Sequence, residues 1–246
     1  MRVRERDLAQ GSQEWLEWRR LGFGGSDIYV LACHADKLAT ALEVPRFRQL
    51  MPKTAPPKWI PSLSTLINRK LGIEPEQPPN FHMARGHRLE PVARAAAENR
   101  YGIEFDPFCV YPDDIPAVRV SLDGFNDNQG MLIEIKAPMH GWRAMPDYLE
   151  YQTAYQAEAL RAEAMDKTIV RSVIGLTVHE TGPSATDPVE VRAWQPTLWK
   201  NAGLCADLAT MASLCHSTYV TGGKSMPEYF RYPPLLAPTR NQRARA

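Results

Sequence analysis

Three side chains near the middle of the chain have the types and spacing for chemistry. They are Asp123 and then Glu134 and Lys136, two apart, within the stretch SLDGFNDNQGMLIEIK from Ser121 to Lys136. Val118, Val120 and Leu122 alternate with Arg119, Ser121 and Asp123, and Met131, Ile133 and Ile135 alternate with Leu132, Glu134 and Lys136, so both runs have strand period. Asp123-Gly124, with Asn126, Asp127, Asn128 and Gly130, supplies turn chemistry, and the stretch reads as a hairpin with Asp123 in a turn at the strand end. Glu134 and Lys136 then share a face that Asp123 can reach. Two converging carboxylates repel, and a divalent cation taking hard oxygen ligands relieves the repulsion. A lysine beside such a cation can orient a water or stabilise charge on a phosphate oxygen, as phosphodiester hydrolysis requires. The same pattern also describes a solvated hairpin face with a surface ion pair, so corroboration has to come from the elements around it.

Those elements bring further candidates. SQEWLEWRR, residues 12–20, reads as a short helix capped by Ser12, with Trp15 and Trp18 on one apolar face. The glycines of LGFGGSD, and Ser26 or Asp27 capping the next helix, leave backbone amides open to an anion, with Arg20 and Ser26 as a phosphate pocket. FHMARGHRLEPVARAAAENRYG predicts a helix from about His82 to Tyr101, stopped by Gly102. Glu90 falls on its small-residue stripe of Met83, Gly86, Ala93 and Ala97, a costly place for a carboxylate unless a metal or cation meets it; an ion pair with Arg94 is the structural alternative. After the hairpin a helix is expected from about Pro146 to Met165, with Gln152 and Gln156 on one face near Tyr148 and Tyr155. Strands over 168–180 and 188–194 and a closing helix over 197–217 complete the pattern.

The bulk composition narrows the classes. A chain of 246 residues with 44% hydrophobic and 23% charged residues fits a single domain over 1–246. No apolar run approaches a bilayer span and MRVRERDLAQ lacks a secretory apolar region, so no membrane partner is expected and the cytoplasm is the expected location. Cys33, Cys109, Cys205 and Cys215 are widely spaced and read as reduced core thiols. The net charge of +1 does not advertise nucleic-acid binding, but Pro45 to Lys70 holds six basic residues and no acidic one. Within it, residues 44–61 read as a proline-rich basic insertion, and 237–246 as a basic flexible tail. GGKS at Gly222–Ser225 is no phosphate loop, because Thr218 stands where that motif needs its first glycine.

Taken in order, these residues resemble the YqaJ and lambda-exonuclease group of viral recombination nucleases, within the PD-(D/E)XK superfamily. The resemblance rests on Arg20-Leu21-Gly22 with Ser26, MARGHRLEPVA from Met83 to Ala93, SLDG from Ser121 to Gly124, IEIKAP from Ile133 to Pro138 and YLEYQTAYQ from Tyr148 to Gln156. It implies an α/β fold with a central mixed β-sheet flanked by α-helices. It makes Asp123 and Glu134 metal ligands with the backbone carbonyl of Ile135, Lys136 the residue that positions or activates the attacking water, and Glu90 an acidic helper. Gln152 becomes a polar contact beside the site and Gln156 a DNA contact, with the equivalence of the two left open, and Arg20 and Ser26 hold the 5′-terminal phosphate. Leu122 departs from the superfamily's proline.

The implied activity is a Mg²⁺-dependent 5′-to-3′ exonuclease on linear double-stranded DNA, leaving 3′ overhangs for phage-type homologous recombination. Mn²⁺ is expected to substitute, and two ions can be accommodated. Implied partners are double-stranded DNA ends, a single-strand annealing protein and two further copies in a homotrimer; the implied setting is a phage or prophage gene in a bacterial host cell. The alternatives are an endonuclease of the same superfamily and a catalytically silent DNA-binding or scaffold protein of the same fold.

Overall fold

Strand-period runs assemble into one six-stranded sheet: β1 (Arg2–Glu5), β2 (Asp106–Pro112), β3 (Val120–Asn126), β4 (Met131–Lys136), β5 (Ser172–Glu180) and β6 (Val189–Trp194), in that spatial order. The computed structural model describes residues 2–5, 8–75, 80–161, 170–182 and 189–231. The tail at 237–246 and the end of the helix expected to reach Met165 lie outside them. Neighbouring strands are antiparallel except β4 and β5, which run parallel from Met131↔Ser172 to Lys136↔Thr177. A parallel pair needs a crossover, and helix α6 (Asp147–Arg161) lies within it. The sheet is mixed and flanked by helices, as the resemblance implied.

The hairpin forms, but its turn falls later than the Asp-Gly pair suggests. Asn126 Oδ1 accepts from the Gln129 N–H at 2.8 Å and Gly130 adopts φ 59°, so the chain reverses over Asn126–Gly130. Gly124 belongs to the strand for a packing reason: a Cβ there would lie 2.8 Å from the Phe105 Cβ and 2.9 Å from Ile133 side-chain carbons. Asp123 is thus a strand residue, not a turn residue.

The alternation of β4 divides it between two cores. Ile133 and Ile135 pack with Leu89, Ala93 and Ala97 of α5 (Phe81–Tyr101), while Leu132 joins the larger core with residues of α2 (Gly25–Cys33), α6 and α7 (Ala202–Cys215). Burying one such aliphatic side chain contributes about 1.5–3 kcal/mol. A one-residue slip would exchange these faces, so the apolar residues hold the register that turns Glu134 towards α6.

Several expectations shift. On α5 the buried stripe is Arg85, Leu89, Ala93 and Ala97, spaced four apart, and Met83 is exposed. The cap of α2 is Gly24, neither Ser26 nor Asp27; Asp27 instead accepts the Gly24 N–H at 2.8 Å from within the first turn. Residues 44–61 are not wholly extended, since Pro45–Leu50 forms a 3₁₀ helix that buries Phe47 and Leu50 in the main core. Ser12 does cap α1 (Gln13–Arg20), α3 (Ala35–Ala41) follows α2, and Ser62 caps α4 (Leu63–Leu71). All four cysteines are buried and free. Among the described residues, no helix is long and apolar enough to cross a membrane.

Candidate active site

The site is built around one buried carboxylate. Glu134 is 1% exposed and its oxygens accept three hydrogen bonds: Oε1 from Lys136 Nζ and Gln152 Nε2, both at 2.6 Å, and Oε2 from Gln156 Nε2 at 2.7 Å. Strand period puts Lys136 beside Glu134, and helical period puts both glutamines over it from α6. The question left open by the sequence therefore has a double answer in geometry, because both glutamines contact Glu134. Gln156 also donates to the Ser121 carbonyl at 3.1 Å, which ties α6 to β3.

Asp123 enters from the neighbouring strand where the β3–β4 ladder, paired from Asn126↔Met131 to Gly124↔Ile133, gives way. There its Oδ2, in place of a main-chain carbonyl, accepts the Ile135 N–H at 2.7 Å. Burial, reinforced by the Glu134 charge and by Glu90, holds the Asp123 carboxyl well above the usual carboxylate range, while Lys136 pulls against them. Glu90 is also raised, first by burial and further by Glu134, with Arg94 opposing. The ion pair offered as the structural alternative for Glu90 is present: Arg94 pairs with Glu90 one turn away and also donates from Nε to the Asp123 carbonyl at 2.8 Å. Lys136 is pushed up despite burial, because Glu134 and Asp123 lie beside it, so it is an ammonium at neutral pH.

Asp123, Glu90 and Glu134 repel one another, and carboxylate oxygens are the hard donors that a divalent cation takes. Asp123 is raised first by burial and then by Glu134 and Glu90, and Glu90 by burial and Glu134, a repulsion that a bound cation would relieve. Among the described residues, however, no group of three or more His, Cys, Asp or Glu side chains is placed to hold a metal ion.

The residues expected to form a phosphate pocket, Arg20 and Ser26, are not brought together. Arg19, not Arg20, reaches Ser26, donating from Nη2 to Oγ at 2.9 Å. Its guanidinium lies over the Trp15 ring at 4.9 Å, and Trp15 donates to Ser121 Oγ at 2.9 Å. Arg20 turns away to α4, where a Cβ on Gly72 would meet its Nη2 at 1.9 Å. Beneath Ser26, Asp27 pairs with Lys70 at 2.7 Å and with Arg19 at 3.5 Å. Burial pushes the Asp27 carboxyl up, but Lys70 and Arg19 together hold it below its ordinary value. The pocket adjoins the carboxylate: a Cβ on Gly25, beside Ser26, would lie 3.0 Å from Gln152 Cγ. Gly22 admits this approach, since a Cβ there would stand 2.5 Å from the Ala117 carbonyl oxygen, where Phe23 bonds to the Ala117–Arg119 segment.

Two arginines of α5 that carry no motif also brace the site. Arg85, 4% exposed, donates to the carbonyls of Ala137 at 2.6 Å and Pro138 at 2.8 Å and to Glu180 at 2.9 Å, fixing the chain immediately after Lys136. Its spacing of four from Leu89, and so its place on the buried stripe, was the available signal. For Arg94 the sequence offers only the one-turn spacing from Glu90.

Comparison with known families matches the YqaJ-like viral recombinase domain to residues 14–158, more than half of the chain. Among solved structures, the fold is similar to LHK-Exo, crystallised in complex with dAMP, at 18% identity and a TM-score of 0.51, covering 86% of this chain and 94% of that one. A phage-related exonuclease from Haemophilus somnus 129PT aligns at 10% identity and a TM-score of 0.45, over 65% of this chain and 82% of that one. Comparison with curated proteins gives no match.

Proposed function

We propose that this chain, a nuclease that belongs to the YqaJ-like viral recombinase family, digests linear duplex DNA from its 5′ ends with Mg²⁺. The reading treats residues 1–246 as one nuclease domain. What supports an exonuclease over an endonuclease is the adjacency of the Arg19–Ser26 anion pocket to the Glu134 carboxylate, with Gln152 between them. A terminal phosphate held at Ser26 would bring the first phosphodiester of its strand towards Lys136.

Asp123, Glu134 and the Ile135 carbonyl would hold the cation, with Glu90 beside them and room in the donor set for a second ion. The cation supplies Lewis-acid stabilisation of charge developing on the phosphate oxygens. The protein's own groups do the positioning. Gln152 and Gln156 fix the Glu134 carboxylate in one orientation, and each such bond to a charged group is worth about 1.5–3 kcal/mol. The Lys136 ammonium orients the attacking water and faces the charge that grows as it attacks. Arg94 holds Glu90 and the Asp123 main chain in register. Mn²⁺ replaces Mg²⁺ in this scheme, and the 3′ overhangs left behind feed recombination with a single-strand annealing partner. A homotrimer would make digestion processive.

The test is digestion of 5′-phosphorylated linear duplex beside covalently closed circular duplex, with Mg²⁺ or EDTA, for wild type and Lys136→Ala. The expected result is metal-dependent loss of the linear DNA alone, absent in the variant, whose DNA binding persists. Cutting of the circle would replace the exonuclease reading with an endonuclease, and intact DNA in every lane would leave a silent DNA-binding protein.

A further inference from the structure

Trp59 has no part in the chemistry above, yet its indole is 61% exposed on a backbone that is firmly held. Ile60, its neighbour, is 3% exposed in the main core and donates its N–H to the Pro57 carbonyl at 3.1 Å. Five residues earlier, Thr54 donates from N–H and Oγ1 to Asp147 Oδ2, at 3.2 and 2.6 Å, so the loop is tied to the first turn of α6. The indole packs edge-on against Tyr148, with ring centroids 5.7 Å apart. Tyr148 in turn meets Trp142 edge-on at 5.8 Å, and Trp142 leans on Trp194 at 6.2 Å.

The row leads to the catalytic carboxylate. Tyr148 and Gln152 are four apart on α6, one above the other on the same helix face and separated by about 6 Å along its axis. Gln152 touches Glu134 at 2.6 Å. A row of rings therefore passes one helical turn from Gln152, the partner of Glu134, and ends in an open indole. Lys53 and Lys58 on the same loop are exposed as well. Aromatic faces interleaved with cations are how proteins hold single-stranded nucleic acid: bases stack on the rings and phosphates meet the cations.

We propose that Trp59, braced by Tyr148, is a stacking platform for a nucleobase of the strand entering the candidate active site. The proposal rests on the nuclease reading and adds a positioning residue from the 44–61 segment to it. A base stacked there would hold its strand extended across the Glu134 face, and the contact would tolerate any base, since every base has a π face.

The test compares two single-stranded 5′-phosphorylated oligonucleotides of equal length and charge, oligo-dT and a wholly abasic strand. Binding is read by fluorescence anisotropy in the Lys136→Ala background with Mg²⁺, and repeated with the wild-type chain in EDTA. The parent is expected to bind oligo-dT about 5- to 100-fold more tightly than the abasic strand. Adding Trp59→Ala should collapse that ratio towards one, and Trp59→Phe should restore most of it. An unchanged ratio in Trp59→Ala overturns the platform. So does a change in sedimentation mass on Trp59→Ala, which would make the indole a contact between copies of the chain. Failure of the nuclease reading looks different: the wild-type chain would then leave linear duplex uncut with Mg²⁺, whatever its base preference.

Discussion

Removing Lys70 tests the ion pair beneath the Ser26 pocket. Its side chain is 2% exposed, its Nζ stands 2.7 Å from Asp27 Oδ2 and donates to the Arg19 carbonyl at 3.1 Å. In Lys70→Met the Asp27 carboxylate stays buried with the Gly24 N–H at 2.8 Å and Arg19 at 3.5 Å. Stripping one partner from a buried pair costs about 3–5 kcal/mol, and the remaining Arg19 places this case near the lower end. At roughly 2–4 °C per kcal/mol for a chain of this size, Tm should fall by about 6–12 °C. Lys70→Met with Asp27→Leu should recover all but about 1 kcal/mol, the worth of the lost bond to Gly24. The pH dependence has a definite sign. The folded wild-type Asp27 sits below its ordinary value, so its contribution is present at neutral pH and is lost as pH falls through the folded value. Without Lys70 burial dominates, the folded carboxyl rises above its unfolded value near 4, and protonation favours the variant. The stability gap should thus be widest near pH 7 and narrow towards pH 4, as read by thermal and urea melts followed by circular dichroism. A gap below about 1 kcal/mol at pH 7, or one independent of pH, would refute this account of the pocket.

Asp123→Asn keeps an oxygen to accept the Ile135 N–H but removes one of three repelling charges. The metal-free variant should melt above metal-free wild type and lose most of the Tm rise that Mg²⁺ gives; a lower melting point without metal would count against the proposed carboxylate cluster. Arg19→Ala should erase the preference for a 5′-phosphorylated end over a 5′-hydroxyl end, while Arg20→Ala keeps it; the reverse pattern in a digestion assay would return the pocket to Arg20. Arg46 and Arg48 are engaged by Asp207 at 2.7 Å and Asp36 at 2.9 Å, so Lys53 and Lys58 are the cations of that segment expected to meet phosphate. Replacing both by alanine should flatten the slope of log K against log salt by about 1–2 in a binding titration, and an unmoved slope would exclude the loop as a DNA contact.

What could be read in advance follows from how each residue's place is determined. Glu134 and Lys136 were legible because a strand has a period of two, and Gln152 and Gln156 because helix neighbours recur at four; both are local rules that the sheet and α6 obey. Asp123 was legible as a partner but not as a strand residue. Gly124 resembles half of a turn signal, and only the approach of Phe105 and Ile133 reveals that it is a packing glycine. Arg19 and Arg20 are adjacent, so the helix aims them about 100° apart, and which one meets Ser26 depends on the tertiary path of the glycine-rich loop. Arg85 was hidden by its charge. An arginine inside a core is unexpected until Glu180 and two carbonyls are brought to it from distant parts of the chain.

The choice of donors around Glu134 bears on the proposal that this site serves a cation. Two of its three partners are amides, which orient a carboxylate without cancelling its charge; the third, Lys136, carries the single full charge in direct contact. An arginine in place of either glutamine would pair with the carboxylate and lower its appetite for a metal. The cationic arginines of α5 are spent elsewhere: Arg94 binds Glu90 and the Asp123 carbonyl, and Arg85 holds the chain after Lys136. Burial and mutual repulsion thus make full ionisation of these acids costly, as the raised Asp123 and Glu90 record. If the proposed cation binds here, relief of that repulsion would make binding a stabilising event, coupling loading of the site to the fold that presents it.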